Sequence, residues 1–207
     1  MGQSLKVASA GRSERQSAAP RGEAVKLAIL DAAIRIFTRQ GVASTSIDDI
    51  VEEAKVARMT LYHHFPSKEQ LLLAALVHEG ARWRRFFFAE LARASGSPRD
   101  RLLSVFDIFE RWFKSEDYAG CAFMNVLLAN NMANADLLQA TAEHKRPVLD
   151  QLEALARAAG AEDAEAVAYQ IDLLMNGAIV NAVISRSHRS ASEAKKVAAS
   201  LLDAVLP

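Results

Sequence analysis

The sequence predicts an all-α protein of about nine helices, in which a small three-helix N-terminal domain precedes a larger C-terminal helical domain. Ala and Leu are abundant, whereas Gly (9 residues) and Pro (5 residues) are scarce in a chain of 207 residues, a balance that favours helices over strands. Hydrophobic residues make up 51% of the chain, which is enough for a buried core. Apolar residues recur at helical spacing, without strand-like alternation or an internal repeat.

Charge and cysteine content narrow the class of protein. The formal net charge is zero, but residues 1–68 carry ten Lys/Arg against seven Asp/Glu, so the N-terminal end is basic and the remainder is acidic. The single cysteine, Cys121, excludes an intrachain disulfide framework. Residues 1–22 lack the apolar segment of a signal peptide, and the longest apolar run, Leu71–Val77, is too short to span a bilayer. We therefore expect a cytoplasmic protein without a membrane partner.

The N-terminal end is expected to contain an arm and a first helix. Residues 1–22 are rich in Ser, Ala, Gly and Arg without periodicity, so a disordered basic arm is expected. The first helix is expected from about Glu23 to Gln40, where Gly41 supplies a stop. Its predicted inward face consists of Val25, Ile29, Ala32, Ala33, Ile36 and Phe37.

Two short helices separated by a tight turn follow. Thr45 and Ser46 are candidate N-caps of the first of them. The second is expected over Arg58–His64. Pro66 then disfavours helix at the residue before it, and a long fourth helix is expected over about Lys68–Ala94.

This arrangement predicts a helix-turn-helix DNA-binding domain over residues 23–67. Apolar side chains fix the second short helix so that its opposite face points outward and fits the major groove, where base edges can be distinguished. Its outward donors, with the first residue of the next helix, are Arg58, Thr60, Tyr62, His63, His64 and Lys68. The alternative is a packing unit without a DNA role. The basic arm is either a solvated tail or an added source of phosphate or minor-groove contacts.

Residues 28–75 resemble the DNA-binding domain of the TetR family of repressors. They read AILDAAIRIFTRQGVASTSIDDIVEEAKVARMTLYHHFPSKEQLLLAA, about a quarter of the chain, and the segment TLYHHFPSKEQLL is the most specific part. The resemblance implies a three-helix DNA-binding domain and a long fourth helix that leads to a sensor domain. The DNA contacts that it implies are Thr45, Ser46, Arg58, Met59, Thr60, Tyr62, His63, His64 and Lys68.

Two residues depart from the family pattern. Lys55 lies in the turn where Gly is usual, so a side chain must tolerate a left-handed or strained backbone there. Ala57 lies where Ser or Thr usually caps the recognition helix, and the missing cap costs about 1 kcal/mol. Both changes weaken the motif without removing it.

Five further helices are expected to complete a C-terminal ligand-binding and dimerisation domain over residues 68–207. Pro147 is expected to interrupt and kink one of them. Their expected spans are about Pro98–Ser115, Cys121–Asn131, Asp136–Ala159, Asp163–Ser187 and Ser192–Val205.

The C-terminal domain is rich in large apolar side chains at helical spacing. This pattern is typical of a hydrophobic core and also of a ligand site between helices. The resemblance implies a small-molecule effector, and the apolar side chains favour a hydrophobic or amphipathic one. The candidate ligand-binding residues are Trp83, Phe87, Phe106, Phe109, Phe113, Phe123, Asn125, Met175 and Asn176. No cofactor and no metal are expected, because the five histidines lack metal-ligand spacing.

Cys121 lies at the start of a predicted helix, where the helix N-terminus is expected to lower the pKa of its thiol. A thiolate there would make Cys121 a redox or electrophile sensor. The alternative is a buried, inert cysteine.

The last two helices carry long apolar faces, and the small residues Gly177, Ala178 and Ala182 permit close helix approach. The resemblance implies a homodimer in which these helices from two chains form the interface. The alternative is that the same faces lie in the intramolecular core.

The function expected from these features is repression of transcription, with release from a double-stranded DNA operator when an effector binds. An enzyme is not expected, because the chain contains no P-loop, no GxGxxG and no GxSxG. A helical protein-interaction adaptor is the alternative. It would explain the apolar C-terminal faces but would leave the polar surface between Arg58 and Lys68 unexplained.

Overall fold

The computed structural model describes residues 21–116, 118–129 and 134–207. Within these ranges the chain forms nine α-helices and no strand, which confirms the predicted fold class. The helices are α1 (Arg21–Gln40), α2 (Ile47–Ala54), α3 (Arg58–His64), α4 (Lys68–Arg93), α5 (Pro98–Phe113), α6 (Ala122–Ala129), α7 (Ala135–Ala158), α8 (Ala164–Ser185) and α9 (Arg189–Val205). Residues 1–20 of the predicted arm lie outside the described residues, and the last two residues of that arm begin α1.

The structure corrects the expected interruption in α7. This helix runs from Ala135 to Ala158 through Pro147 as one element, although proline removes a backbone donor from the helix. Val148 and Leu152, which follow the proline, are both buried in a hydrophobic cluster. Packing of the helix against its neighbours therefore sustains it across the missing hydrogen bond.

Two hydrophobic clusters organise the described residues. The first, here called the N-terminal core, unites α1, the helix-turn-helix and the first half of α4. It also contains four residues from α6 and α7, namely Phe123, Val126, Leu137 and Ala140. The second, here called the C-terminal core, is formed by α5, α7, α8 and α9 with the second half of α4. The N-terminal core thus extends beyond the helices of the DNA-binding motif.

Helix α4 connects the two cores. Its 26 residues make it about 39 Å long. Leu71 and Leu76 near its start are buried in the N-terminal core, whereas Phe87 and Leu91 near its end are buried in the C-terminal core. Between these two segments lies Gly80, where a Cβ would come within 2.7 Å of the His144 ring. The same Cβ would lie 2.8 Å from the Phe123 ring of α6, so glycine leaves the space that these two rings occupy.

Helix α8 is the one described helix that is long and apolar enough to cross a membrane by those two criteria alone. Of the 18-residue apolar window in this helix, 44% is buried inside the protein. Its buried residues include Ile171, Met175 and Ile179 of the C-terminal core. This burial is typical of a core helix in a helical bundle.

Candidate functional site

The start of α2 is fixed by a reciprocal cap. Ser46 Oγ accepts a hydrogen bond from the Asp49 N–H (3.1 Å), and Asp49 Oδ2 accepts one from the Ser46 N–H (2.8 Å). The Ser46 backbone N–H, followed by its hydroxyl, lowers the pKa of the Asp49 carboxyl. The predicted N-cap at Ser46 is therefore confirmed, and Asp49 is committed to the cap.

The other candidate N-cap, Thr45, is buried. Its side chain is 2% exposed, and its hydroxyl donates to the Gly41 carbonyl at 2.8 Å. This bond stabilises the loop between α1 and α2. A DNA contact by the Thr45 side chain therefore does not fit this structure, because its one hydroxyl is directed inward.

The turn between α2 and α3 adopts the predicted left-handed conformation. Lys55 has φ 54° and ψ 44°, values that glycine adopts readily and other residues rarely adopt. Its N–H donates to the Glu52 carbonyl (3.2 Å), and the next N–H, of Val56, donates to the Val51 carbonyl (3.2 Å). The turn is therefore hydrogen-bonded, although the residue at its centre is unfavourable.

Helix α3 starts without a side-chain cap, as the sequence predicts. Ala57 has extended backbone angles but makes no capping side-chain bond. The helix is anchored by Leu61, which is fully buried, and by Phe65 directly after its end. Tertiary packing therefore fixes this seven-residue helix, which is too short to be stable by itself.

The opposite side of α3 forms an outward surface, here called the recognition surface. It consists of Arg58, Met59, Thr60, Tyr62 and His63. Met59 is 78% exposed, the largest value among the exposed large hydrophobic residues described. Four of these residues line an open surface depression, namely Met59, Thr60, Tyr62 and His63. The structure therefore brings most of the predicted DNA contacts onto one face.

Arg58 at the start of α3 is paired within the protein. Its Nη1 donates to both carboxylate oxygens of Asp48 on α2, at 2.8 and 3.1 Å. The guanidinium carbon lies 5.8 Å from the centroid of the Tyr62 ring, one turn further along α3. Hydrogen bonding to Tyr62, followed by the charge of Asp48, raises the pKa of Arg58 above its ordinary value. The sequence did not predict the pair with Asp48.

Lys68 and His64 lie at the edge of the recognition surface. The Lys68 Nζ donates to the Val42 carbonyl at 2.6 Å, which ties α4 to the loop after α1. His64, the last residue of α3, is partly buried and lies beside Phe65, with 6.2 Å between ring centroids. Ser67 caps α4 by accepting from the Gln70 N–H at 3.2 Å. The Lys68 ammonium is thus already engaged near the N-terminus of α4.

The predicted ligand-binding residues are divided between several environments. Phe87, Phe106, Phe109, Phe113 and Met175 are packed in the C-terminal core, whereas Phe123 belongs to the N-terminal core. Neither of the two cavities described in the structure is lined by these side chains. The aromatic candidates pack against one another instead, for example Phe87 and Phe109, with 6.3 Å between ring centroids.

The polar candidates are engaged in local hydrogen bonds. Asn125 is exposed and donates to the Ala119 carbonyl (2.8 Å), while Asn176 donates to Asp172 Oδ2 (3.0 Å). Trp83 stacks on Phe87 with 5.0 Å between ring centroids. Its indole N–H is buried without a hydrogen-bond partner among the described residues. Trp83 is therefore the candidate that retains an unused donor.

Two buried polar residues, His144 and Asp172, were missed by the sequence analysis. Lys145 Nζ donates to Asp172 Oδ2 at 2.6 Å, and Arg84 Nη1 donates to His144 Nδ1 at 2.8 Å. Because Arg has only donors, His144 Nδ1 must accept. The His144 ring also stacks on Phe123, with 4.4 Å between centroids. Their places on otherwise apolar helix faces were the available sequence signal.

Burial lowers the pKa of His144 to about 4, with further contributions from the charges of Arg84 and Lys145. The imidazole is therefore neutral at pH 7. It lies between Phe123 of the N-terminal core and Trp83 of the C-terminal core, with 5.7 Å between its centroid and that of Trp83. His144 thus contacts both cores at their junction.

The expected low pKa of Cys121 is wrong. Burial raises the pKa of its thiol and outweighs the opposing hydrogen bonds from the backbone of Met124 and Phe123. The loss of hydration destabilises the charged thiolate more than those hydrogen bonds stabilise it. The structure thus favours the alternative of an inert, protonated cysteine.

Comparisons with known proteins give a consistent result. Residues 29–75 match the family described as bacterial regulatory proteins, tetR family. The HTH-type transcriptional repressor Rv3405c of Mycobacterium tuberculosis is 41% identical over 68 residues, which cover 33% of this chain and 36% of that protein. The chain thus matches about a third of the length of such curated relatives.

Solved structures resemble the chain over most of its length. The TetR-family transcriptional regulator SCO4454 of Streptomyces coelicolor is 25% identical, with a TM-score of 0.72, over 86% of this chain and 97% of that one. A transcriptional regulator from Saccharomonospora viridis, solved in complex with choline, has a TM-score of 0.75 at 18% identity, over 89% of this chain and 99% of that one. The similarity therefore includes both the helix-turn-helix and the C-terminal helices.

Proposed function

We propose that the chain is a transcriptional regulator of the TetR family, and that it acts as a homodimeric repressor released from its DNA operator by a small hydrophobic or amphipathic effector. The observation that carries the DNA-binding part is the recognition surface. A short helix is fixed from behind by Leu61 and Phe65, while the donors of Arg58 and His63 face solvent. Such a rigid, outward helix fits the major groove.

The proposed contacts fall into two classes. Arg58, Met59 and Thr60 at the start of α3 face the base edges, since the first residues of a recognition helix contact the bases. Apart from Thr45, whose hydroxyl is directed inward, the other predicted contacts face the phosphates and position the helix. These are Ser46, Tyr62, His63, His64 and Lys68. The neutral net charge of the chain makes this local concentration of donors necessary for binding.

The proposed dimer interface is the outward side of α8 and α9. Leu173, Val180 and Ile184 follow one another at helical spacing on α8 and are 52%, 40% and 75% exposed. Gly177, also exposed, continues this row and leaves room for a facing helix. Exposed apolar rows of this kind mark association surfaces. Two copies joined there present two recognition surfaces to adjacent half-sites of one operator.

The effector is proposed to enter beside Trp83, whose buried indole N–H has no partner among the described residues. A ligand with an acceptor group and an apolar body would satisfy this donor and separate the aromatic rings around it. Because α4 belongs to both cores, a rearrangement of the rings around Trp83 would shift α4 and with it the DNA-binding domain. The two recognition surfaces of the dimer would then no longer match the spacing of the operator half-sites. This repressor acts in the cytoplasm and performs no catalysis.

The test of DNA recognition is a selection from random duplex DNA with the full chain. We expect one enriched, approximately palindromic sequence. Arg58→Ala combined with Tyr62→Phe should abolish that selectivity, whereas Arg157→Ala, which removes the same charge from the exposed end of α7, should retain it. Unchanged selectivity after the double substitution would contradict the proposal.

The adaptor alternative is favoured by one observation, the exposed apolar row on α8. Sedimentation velocity distinguishes a homodimeric repressor from a monomeric adaptor. Ile184→Glu should convert a dimer to monomer, whereas Leu128→Glu, at a comparably exposed apolar residue of α6, should leave the dimer intact. A wild-type chain that is monomeric at micromolar concentration and selects no duplex would instead support the adaptor.

A further inference from the structure

Two consecutive aspartates at the start of α2 have different partners. Asp49 accepts from the backbone and hydroxyl of Ser46 and completes the cap of its own helix. Asp48 instead accepts from the Nη1 of Arg58, ten residues away at the start of α3. The cap of α2 therefore does not explain Asp48, which is directed across the turn to the recognition surface.

The pair between Asp48 and Arg58 contributes little to folding. The two side chains are 72% and 56% exposed, and ion pairs this exposed stabilise proteins weakly. A negative charge next to the phosphates of a duplex also opposes binding. Its place in the first turn of α2 suits the helix dipole, but the dipole does not explain why the carboxylate is directed across the turn to Arg58.

The geometry of the pair between Asp48 and Arg58 indicates a role in orienting the arginine. Both hydrogen bonds to Asp48 use the Nη1 nitrogen of Arg58, so the Nε–Nη2 edge of the guanidinium is free of this carboxylate. On another side, the guanidinium lies near the Tyr62 ring, at 5.8 Å. A guanidinium edge matches the two acceptors of guanine in the major groove. Contacts on two sides restrict the directions in which this edge points.

We propose that Asp48 is a specificity-determining residue for the DNA recognition proposed above: it orients Arg58 towards one base pair and cancels the charge that would otherwise attract phosphates of any sequence. The inference rests on the proposed function. Asp48 does not touch the base itself and acts through Arg58, so it is a positioning residue. Its removal should change selectivity at one position and leave the other positions unchanged.

The experiment uses the full chain and the duplex selected by the wild type. Arg58→Lys keeps the positive charge but loses the planar fork, so the position where it loses preference identifies the base pair that Arg58 contacts. Asp48→Asn should lower discrimination at that position about five- to tenfold. It should also raise affinity for unrelated duplexes a few-fold and steepen the salt dependence by about one phosphate contact.

Two controls make the result specific. Glu52→Gln removes one charge from the same helix, one turn further along, and should leave discrimination at that base pair unchanged. In the Arg58→Lys background, Asp48→Asn should cause no further loss of discrimination there, because the residue it positions has lost its fork. Equal effects of Asp48→Asn in both backgrounds, or equal effects of Asp48→Asn and Glu52→Gln, would overturn the inference.

Different results would contradict the proposed function and the proposed role of Asp48. If the wild type selects no duplex sequence, the proposed function fails and this inference falls with it. If the wild type selects a sequence and Asp48→Asn retains the full discrimination at every position, only the role of Asp48 is wrong. Thermal unfolding of Asp48→Asn should match the wild type, since the pair is exposed.

Discussion

The polar groups of the recognition surface and those of the C-terminal interior differ in exposure although both are paired. Arg58 and Asp48 form an ion pair in solvent, whereas Lys145 donates to Asp172, whose side chain is 8% exposed. The exposed pair is available to a partner without any rearrangement of the fold. The carboxylate of Asp172 is available only if the helices around it separate. The molecule thus combines an accessible polar surface with a closed interior, the combination that the proposed function requires.

The largest effect on stability is expected when the partner of the buried Asp172 carboxylate is removed. Among the described residues, Lys145→Met would leave Asn176 as the remaining hydrogen-bond donor to the buried carboxylate of Asp172. We expect the free energy of unfolding to fall by about 2–3 kcal/mol, measured by urea denaturation at pH 7. Lys195→Met is the matched control, because Lys195 pairs with Asp107 at the same 2.6 Å but both side chains are more exposed. Equal losses of unfolding free energy in both variants would contradict the idea that burial of Asp172 makes its pair with Lys145 more important.

A pH effect of similar size is expected from His144. Its pKa is about 4 in the folded protein and 6.5 when unperturbed, so the unfolded chain binds more protons between these values. Stability should be complete above pH 6.5 and should fall by about 2–3 kcal/mol as the pH is lowered towards 4. Urea denaturation between pH 4.5 and 7 measures this slope.

The matched variants for the pH prediction are His144→Gln and His63→Gln. The first removes the buried titrating group while retaining an acceptor for Arg84, and the slope that His144 contributes should disappear. The second changes an exposed histidine of the recognition surface and should keep the slope. A slope that persists in His144→Gln would assign the acid sensitivity to another group.

The smallest effect on stability is expected at Lys55, in the exposed turn between α2 and α3. Lys55→Gly should stabilise the protein by about 0.5–1 kcal/mol, because the left-handed backbone at this turn is strained for a residue with a Cβ. The midpoint of urea denaturation should rise accordingly. Lys55→Ala removes the long side chain but keeps the Cβ, and we expect no gain from it. A gain in the alanine variant would attribute the effect to the lysine side chain.

The sequence predicted best where short-range rules decide the structure. The cap at Ser46, the left-handed residue at Lys55 and the uncapped start of α3 at Ala57 each depend on neighbours within a few positions, and each is confirmed. The nine helices are confirmed over the described residues for the same reason. The DNA contacts remain predictions, and Thr45 does not fit because its hydroxyl is satisfied by a loop carbonyl.

The sequence failed where distant helices decide the environment. The pKa of Cys121 is raised because the packed helices around the thiol exclude water. Asp172 and Lys145 are 27 positions apart, so no local pattern indicates their pairing. Phe123 was grouped with the ligand site from its aromatic character, but tertiary packing assigns it to the N-terminal core. Burial of this kind is a property of the assembled bundle and is not encoded in spacing alone.

The composition of the N-terminal core limits how far the DNA-binding motif can be transplanted. A fragment that ends at residue 67 would lack Leu71 and Leu76 of α4 as well as Phe123 and Leu137 from later in the chain. The side chains of α1 that these residues cover would then face water. Chimeras with another regulator should therefore exchange the first half of α4, α6 and the first turns of α7 together with the first three helices, so that the grafted motif retains its own apolar support.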